Sequence, residues 1–302
     1  MSVRSAHRNR GDGALLLDYL IIGHVTRDLD EASSGLGGTA AYAARTARAL
    51  ECRVGVITSA ADDLDLRTGL DRAEVTRHPA AHSTTFENIY RDDGRGQVIH
   101  AIARRLGSES VPDGWSARLV HIAPVVHECD PGLVGEFPGA FIGVTPQGWM
   151  REWDHEGRVR RRRWDEATLV LPQADAVVFS QEDVGGDEKL VREYARQTRC
   201  LALTRGAEGC TIFTGMDIFR IPAPRVTQVD PTGAGDVFAA CFFCALQRGY
   251  DPRTAARFAN CTAAQSVTRT GLSGTPSTEE IVRCRRITLG NEANDAHHLC
   301  GG

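Results

Sequence analysis

The chemistry-bearing residues of this 302-residue chain concentrate in one run, Val229-Asp230-Pro231-Thr232-Gly233-Ala234-Gly235-Asp236, set directly before an apolar segment that reads as a helix. Two glycines allow the backbone to approach a ligand closely. The free N–H groups of a helix start, helped by the macrodipole, make an anion site. A carboxylate on that first turn, Asp236, would stand beside the bound anion. From there it would take a proton from an attacking hydroxyl while the amides hold the charge developing on a transferred phosphoryl group. A plain helix cap is the simpler role, and Gly-Ala-Gly alone does not exclude it. A GxxxxGK[ST] loop is absent, which disfavours a P-loop NTPase, and Gly35-Leu36-Gly37-Gly38 lacks the third glycine and the preceding long strand of a dinucleotide-binding turn.

The elements that must position this run alternate along the chain. Apolar stretches at 15–23, 53–59, 118–125, 140–146, 175–180 and 199–206 read as buried strands, and 40–50, 187–198, 233–249, 251–270 and 277–287 read as helices. The joint Gly249-Tyr250-Asp251-Pro252 is a helix stop followed by an N-cap and a first-turn proline. Such alternation predicts an α/β domain with a mostly parallel sheet covered on both faces, spanning residues 14–290, with 1–13 and 291–302 as flexible ends. Residues 84–104 break the pattern as a β-hairpin, expected to act as a lid. Along its first strand Thr84, Phe86, Asn88 and Tyr90 share one face, and Thr85, Glu87 and Ile89 the other. Phe86, Asn88 and Tyr90 are the candidates to face an acceptor.

Bulk properties narrow the class. Hydrophobic residues are 42% and charged residues 25% of the chain, and the net charge is −4. This is a globular composition with no basic field for nucleic acid or anionic membrane. Lys189 is the one lysine among 35 basic residues; this skew reads as codon bias and carries no functional weight. Arg158 and Arg160–Arg163 read as a solvated hairpin face. Nine cysteines show no paired framework, and Cys241-x-x-Cys244 lies inside an apolar helix, so packing outweighs metal or redox chemistry. Unpatterned thiols and no apolar stretch long enough to span a bilayer point to a reducing, cytoplasmic setting.

The run VDPTGAGD resembles the signature of the ribokinase-like (PfkB) carbohydrate and nucleoside kinases, and the resemblance extends from about Asp18 to Thr278. It implies a three-layer αβα sandwich with a small β lid, Asp236 as catalytic base, and Gly233, Ala234 and Gly235 as the anion hole. It also implies ATP and Mg²⁺. The segment Ile22–Asp28 is similar to the family's first strand, which ends in a substrate-binding aspartate, here Asp28. Gly37 and Gly38 match the turn lining the acceptor. Thr204, Gly206 and Gly209 match the nucleotide-binding strand and turn, and Asn260 the helix walling the adenine pocket. Asp230 and Thr232 match a site for a monovalent cation such as K⁺.

Three departures qualify this match. Thr26 and Tyr42 stand where the family often has asparagine, and Ser180-Gln181-Glu182-Asp183 replaces Asn-x-x-Glu, so Ser180 and Asp183 inherit phosphate and Mg²⁺ contacts. Together with the hairpin and Gln147, these resemble the plant-type myo-inositol kinase branch. That implies a cyclic polyol acceptor, with a pentose, hexose or nucleoside as the alternative, and a non-catalytic metabolite-binding protein of the same fold as the reading from another class. Only residues 29–36 separate Asp28 from Gly37, so the family's dimer clasp is expected to be short, leaving monomer or homodimer open.

Overall fold

The computed structural model describes residues 15–30, 33–91 and 94–288. Along the chain the strands are β1 (Leu15–Ile22), β2 (Thr26–Asp30), β3 (Ser33–Gly37), β4 (Val54–Ala60), β5 (Glu74–Pro79), β6 (Thr85–Arg91), β7 (Gly94–Ala101), β8 (Trp115–Ile122), β9 (Phe141–Val144), β10 (Arg151–Trp153), β11 (Val159–Arg161), β12 (Ala176–Ser180), β13 (Cys200–Thr204), β14 (Cys210–Thr214) and β15 (Asp217–Ile221). The helices are α1 (Thr39–Ala49), α2 (Arg67–Leu70), α3 (Ala167–Val170), α4 (Glu188–Ala195), α5 (Ala234–Gln247), α6 (Pro252–Ser266) and α7 (Thr278–Thr288).

Nine strands form one sheet in the order β15-β14-β13-β12-β9-β8-β1-β4-β5. From β13 to β5 every pairing is parallel, and β14 alone runs against its neighbours. Central strands are continuous apolar runs because helices bury both their faces; every residue of β4 is buried. Alternate side chains of β1 feed different cores, Tyr19 and Ile21 joining α1, α5 and α6 on one side, Leu20 and Ile22 joining Val191 and Tyr194 of α4 on the other. Helix α5 is buried from Val237 to Ala245, which is why its sequence is apolar on all faces. The stop and start after it are as expected: Gly249 has φ 88°, and the Asp251 side chain caps α6 by accepting from the N–H groups of Arg253 and Thr254 at 3.0 and 3.1 Å.

The lid is larger than a single hairpin. β1 ends at Ile22, and the chain leaves the main sheet at Gly23, where a Cβ would overlap the Ala123 carbonyl oxygen. Asp28 therefore lies not at the end of the first strand but on β2. β2 and β3 join the β6–β7 hairpin in a four-stranded sheet of order β3-β2-β6-β7. His24 anchors its root. Its Nε2 donates to the Arg104 carbonyl at 2.8 Å, leaving Nδ1 to accept from the Thr84 hydroxyl at 2.7 Å, while Thr84 Oγ1 accepts from Ala103 N–H at 3.0 Å.

Cys241 and Cys244 are buried in α5 and pack in the core. Against the expectation of no pairing, Cys261 on α6 and Cys284 on α7 form a disulfide. The two helices pack side by side and bring together positions that no spacing motif connects. No helix of the described residues is long and apolar enough to cross a membrane. The proposed flexible ends lie outside the described residues.

Candidate active site

Two helix starts meet above the carboxyl ends of the main strands. Gly233 takes the left-handed conformation, φ 79° and ψ −3°, as N-cap of α5, which costs glycine little. The first amides of α5 then lack intrahelical acceptors. A Cβ at Gly235 would meet nothing within 4 Å, so open space lies over this turn. At Gly233 the situation is the reverse, since a Cβ would run into the Tyr42 ring.

Asp236 occupies the first turn of α5. Burial pushes its carboxyl up to about 6, against the hydroxyl of Thr39, which hydrogen-bonds to it, and against the positive charge of Arg151. The negative charges of Asp183 and Asp28 push the same way as burial. Thr39 is the first residue of α1 and is buried. A carboxylate with a pKa near 6 is mostly ionised at neutral pH and still basic enough to accept a proton as a hydroxyl attacks. That balance suits a general base better than a simple cap.

The residues expected to face an acceptor lie on β2, β3 and the start of α1. Asp28 sits opposite Gly35 in β3 and Phe86 in β6. Thr26 Oγ1 donates to Asp28 Oδ1 at 2.7 Å, so the residue standing in for a family asparagine orients the aspartate. The Asp28 carboxylate lies on Gly37, where a Cβ would overlap it. Gly38, at φ 84°, passes close to the His24 carbonyl and Thr26. Tyr42 is buried, with 3% of its surface exposed, against Gly233. It thus forms a platform under the N-cap of α5, between the two helix starts. Phe86 packs with Ile99, Val125 and Val126 in a small apolar cluster. Asn88 accepts from the Gln97 amide at 2.9 Å. Thr84, Phe86 and Asn88 share the buried face, as alternation requires; the side chain of Tyr90 lies outside the described residues.

On the opposite side, the turn after β12 is tied together around Asp183. The N–H and hydroxyl of Ser180 donate to Asp183 Oδ2 at 2.8 and 2.7 Å, and the Gln147 amide donates to Oδ1 at 3.4 Å. Gln147 thus lies beside Asp183. Arg205 links this turn to the one after β13 by donating to Gln181 at 2.7 Å and Glu188 at 2.6 Å. Gly206, at φ 55°, has open space where a Cβ would be, as a ligand-facing position needs. Thr204 Oγ1 donates to the Phe179 carbonyl at 3.5 Å. Asp230 accepts from Thr232 N–H at 2.9 Å and Gly271 N–H at 2.8 Å, joining the turn before α5 to the loop after α6.

Two residues expected on the nucleotide side also have framework roles. Asn260 is buried, and its Nδ2 donates to the carbonyls of Ile221 and Pro222 at 3.0 and 3.4 Å. Its amide fastens the end of β15 to α6. Gly209, at φ 95°, is pressed on the backbone of Ile221–Ala223, so it serves strand packing. Sequence reasoning also missed Arg151, whose charge reaches Asp236. Its signal is the alternation of Arg151-Glu152-Trp153, too short to read before β10 is known.

Among the described residues no group of three or more His, Cys, Asp or Glu could hold a metal ion by itself. Asp183 accepts protein hydrogen bonds on both oxygens and would offer a Mg²⁺ ion a hard oxygen donor.

Residues 160–279 match the family model described as pfkB family carbohydrate kinase. The chain is 26% identical over 253 residues to cytidine kinase of Thermococcus kodakarensis, covering 78% of this chain and 90% of that protein. It is 26% identical over 274 residues to inositol 3-kinase of Oryza sativa subsp. japonica, covering 78% of this chain and 64% of that one. Among solved structures, a pyrophosphate-dependent kinase in the ribokinase family, complexed with a pyrophosphate analog and myo-inositol, superposes with a TM-score of 0.74. It is 20% identical, with 88% of this chain and 99% of that one covered.

Proposed function

We propose that this chain, which carries a pfkB family carbohydrate kinase domain and is a phosphotransferase acting on an alcohol group, transfers the γ-phosphoryl group of ATP to a hydroxyl of a small cyclic polyol, an inositol or related cyclitol. The observation that carries the reading is Asp236, a carboxyl pushed up to about 6 at an open helix start and within the field of Asp28. In the proposed step Asp28, held by Thr26, grips acceptor hydroxyls. Asp236 takes the proton of the attacking hydroxyl as its oxygen bonds to the γ-phosphorus. The bond to the ADP oxygen breaks, and the amides of Gly233–Gly235 hold the charge on the transferring group. Kinases of this family use ATP with Mg²⁺; the ion would neutralise phosphate charge near Asp183. Positioning and electrostatics supply most of the acceleration in such transfers. A monovalent cation beside Asp230 and Thr232 belongs to the same reading, because Asp230 has the backbone at Gly271 alongside it. So does a cytoplasmic location, where ATP is supplied.

The cyclitol reading draws on the inositol 3-kinase match and on Thr26 and Tyr42, which replace the asparagines of the sugar kinases this chain resembles. A nucleoside acceptor is the second reading, favoured by the match to cytidine kinase over 90% of that protein. ADP release measured over a panel of cyclitols, pentoses, hexoses and nucleosides separates them. The proposal expects kcat/KM for a cyclitol to exceed all others. A preference for cytidine hands the site to the second reading. A thermal shift with one ligand but no ADP from any would make the chain a binder.

A further inference from the structure

Segment 158–163 holds five arginines, and four are matched by acids on the surface. Arg158 pairs with Asp154 and Glu156, Arg160 with Asp154, Arg162 with Asp165, and Arg163 with Glu193. Arg161 differs, since no carboxylate among the described residues pairs with it. In the β10–β11 ribbon it stands directly opposite Arg151, as Val159 stands opposite Trp153. Residues two apart on a strand share a face, so Arg151, Trp153, Val159 and Arg161 make one face of the ribbon. Trp153 and Val159 pack against the cluster of Phe86, Ile99, Val125 and Val126, which makes this the inward face. Glu152 and Arg160 take the outer one.

Both arginines belong to the same cross-strand pair at one end of the ribbon. From there the charge of Arg151 acts on Asp236, and the Arg161 guanidinium lies on Gly185, where a Cβ would overlap it. Gly185 is in the turn that carries Asp183. The pair thus stands between Asp236 and the turn after β12. Arg161, with no carboxylate partner among the described residues, keeps its donors for an anion that lies between it and Arg151. Guanidinium forks match phosphoryl oxygens two at a time.

We propose that Arg151 and Arg161 form a phosphoryl-binding pair on the roof of the cleft. The assignment rests on reading the cleft as a phosphoryl-transfer site, and it adds a subsite. Its phosphoryl group comes from one of two sources: the terminal phosphates of the donor, or a phosphate already carried by the acceptor.

Calorimetric titration of the full chain with inorganic pyrophosphate tests the pair without requiring turnover. Arg161 is exposed, so Arg161→Gln leaves the core intact, and Arg163→Gln removes an equal charge from the same segment as a control. The pair predicts that R161Q loses about tenfold in pyrophosphate affinity, as expected for a charge-assisted contact, and that R163Q stays at the wild-type value. Equal affinity in R161Q and wild type, or an equal loss in both variants, overturns it. Steady-state arms then assign the source. A raised KM for ATP in R161Q marks the donor; an unchanged KM for ATP with lost preference for phosphorylated acceptors marks the acceptor. A chain that binds pyrophosphate through Arg161 yet phosphorylates no polyol, sugar or nucleoside would end the kinase reading and leave the pair standing.

Discussion

The ring of Tyr42 lies against the α-carbon of Gly233, so that the first helix on the acceptor side and the N-cap of the helix bearing Asp236 are in direct contact. Through this contact the proposed acceptor wall and the proposed anion hole share one support. Gly233 is also left-handed, so two independent constraints, backbone conformation and lack of space, require glycine there. Gly233→Ala should destabilise the fold by about 1–3 kcal/mol and lower turnover. Tyr42→Ala on that background should return the steric part of the loss and not the conformational part. The coupling energy from a double-mutant cycle of unfolding midpoints checks this; additive effects would mean the ring and the glycine are independent.

The position of the Asp236 carboxyl near 6 sets a pH limb. Only the ionised form accepts a proton, so kcat/KM, which reports the free enzyme, should fall tenfold per pH unit below about pH 6 and level off above it. Stability runs the other way. The folded-state pKa lies above the ordinary carboxylate value of 3.8, so the native state binds the proton more readily than the unfolded chain. This contribution to stability grows as pH falls from 6 toward 4 and is absent above it. Asp236→Asn should therefore melt higher than wild type at pH 8, with the difference shrinking by pH 5. Melting curves at the two pH values check it.

Asn260 supplies a prediction that separates framework from ligand contact. Removing its amide strands the carbonyls of Ile221 and Pro222, so Asn260→Ala should cost about 1–3 kcal/mol of stability. The KM for ATP should stay within about twofold of wild type, since RT ln 2 is well under 1 kcal/mol. Denaturation and steady-state kinetics on the same preparation test both parts.

Much of this arrangement was legible before the fold. Gly-Ala-Gly-Asp ahead of an apolar run marks a helix start with open amides, and Asp251-Pro252 marks the next start to the residue. The central strands announce themselves because burial on both faces demands unbroken apolar runs. Edges were less readable. β5 carries Glu74, Arg77 and His78 in an exposed strand, and β15 is mostly exposed, so neither shows a core pattern. β3, Ser-Ser-Gly-Leu-Gly, has little strand propensity and pairs because β2 already lies beside β6. The positions of Asn260, Arg161 and the Cys261–Cys284 bond depend on which helices and strands lie side by side, which spacing along the chain does not carry.

The central claim is that Asp236 is the base of a phosphoryl transfer. Turnover of Asp236→Asn, measured alongside ATP affinity by direct titration, tests it most directly. The substitution keeps the size of the side chain and removes its ability to take a proton. The prediction is a loss of about two to four decades in kcat with ATP affinity within a few-fold of wild type. Near-normal turnover in that variant would contradict it and return Asp236 to the role of a helix cap.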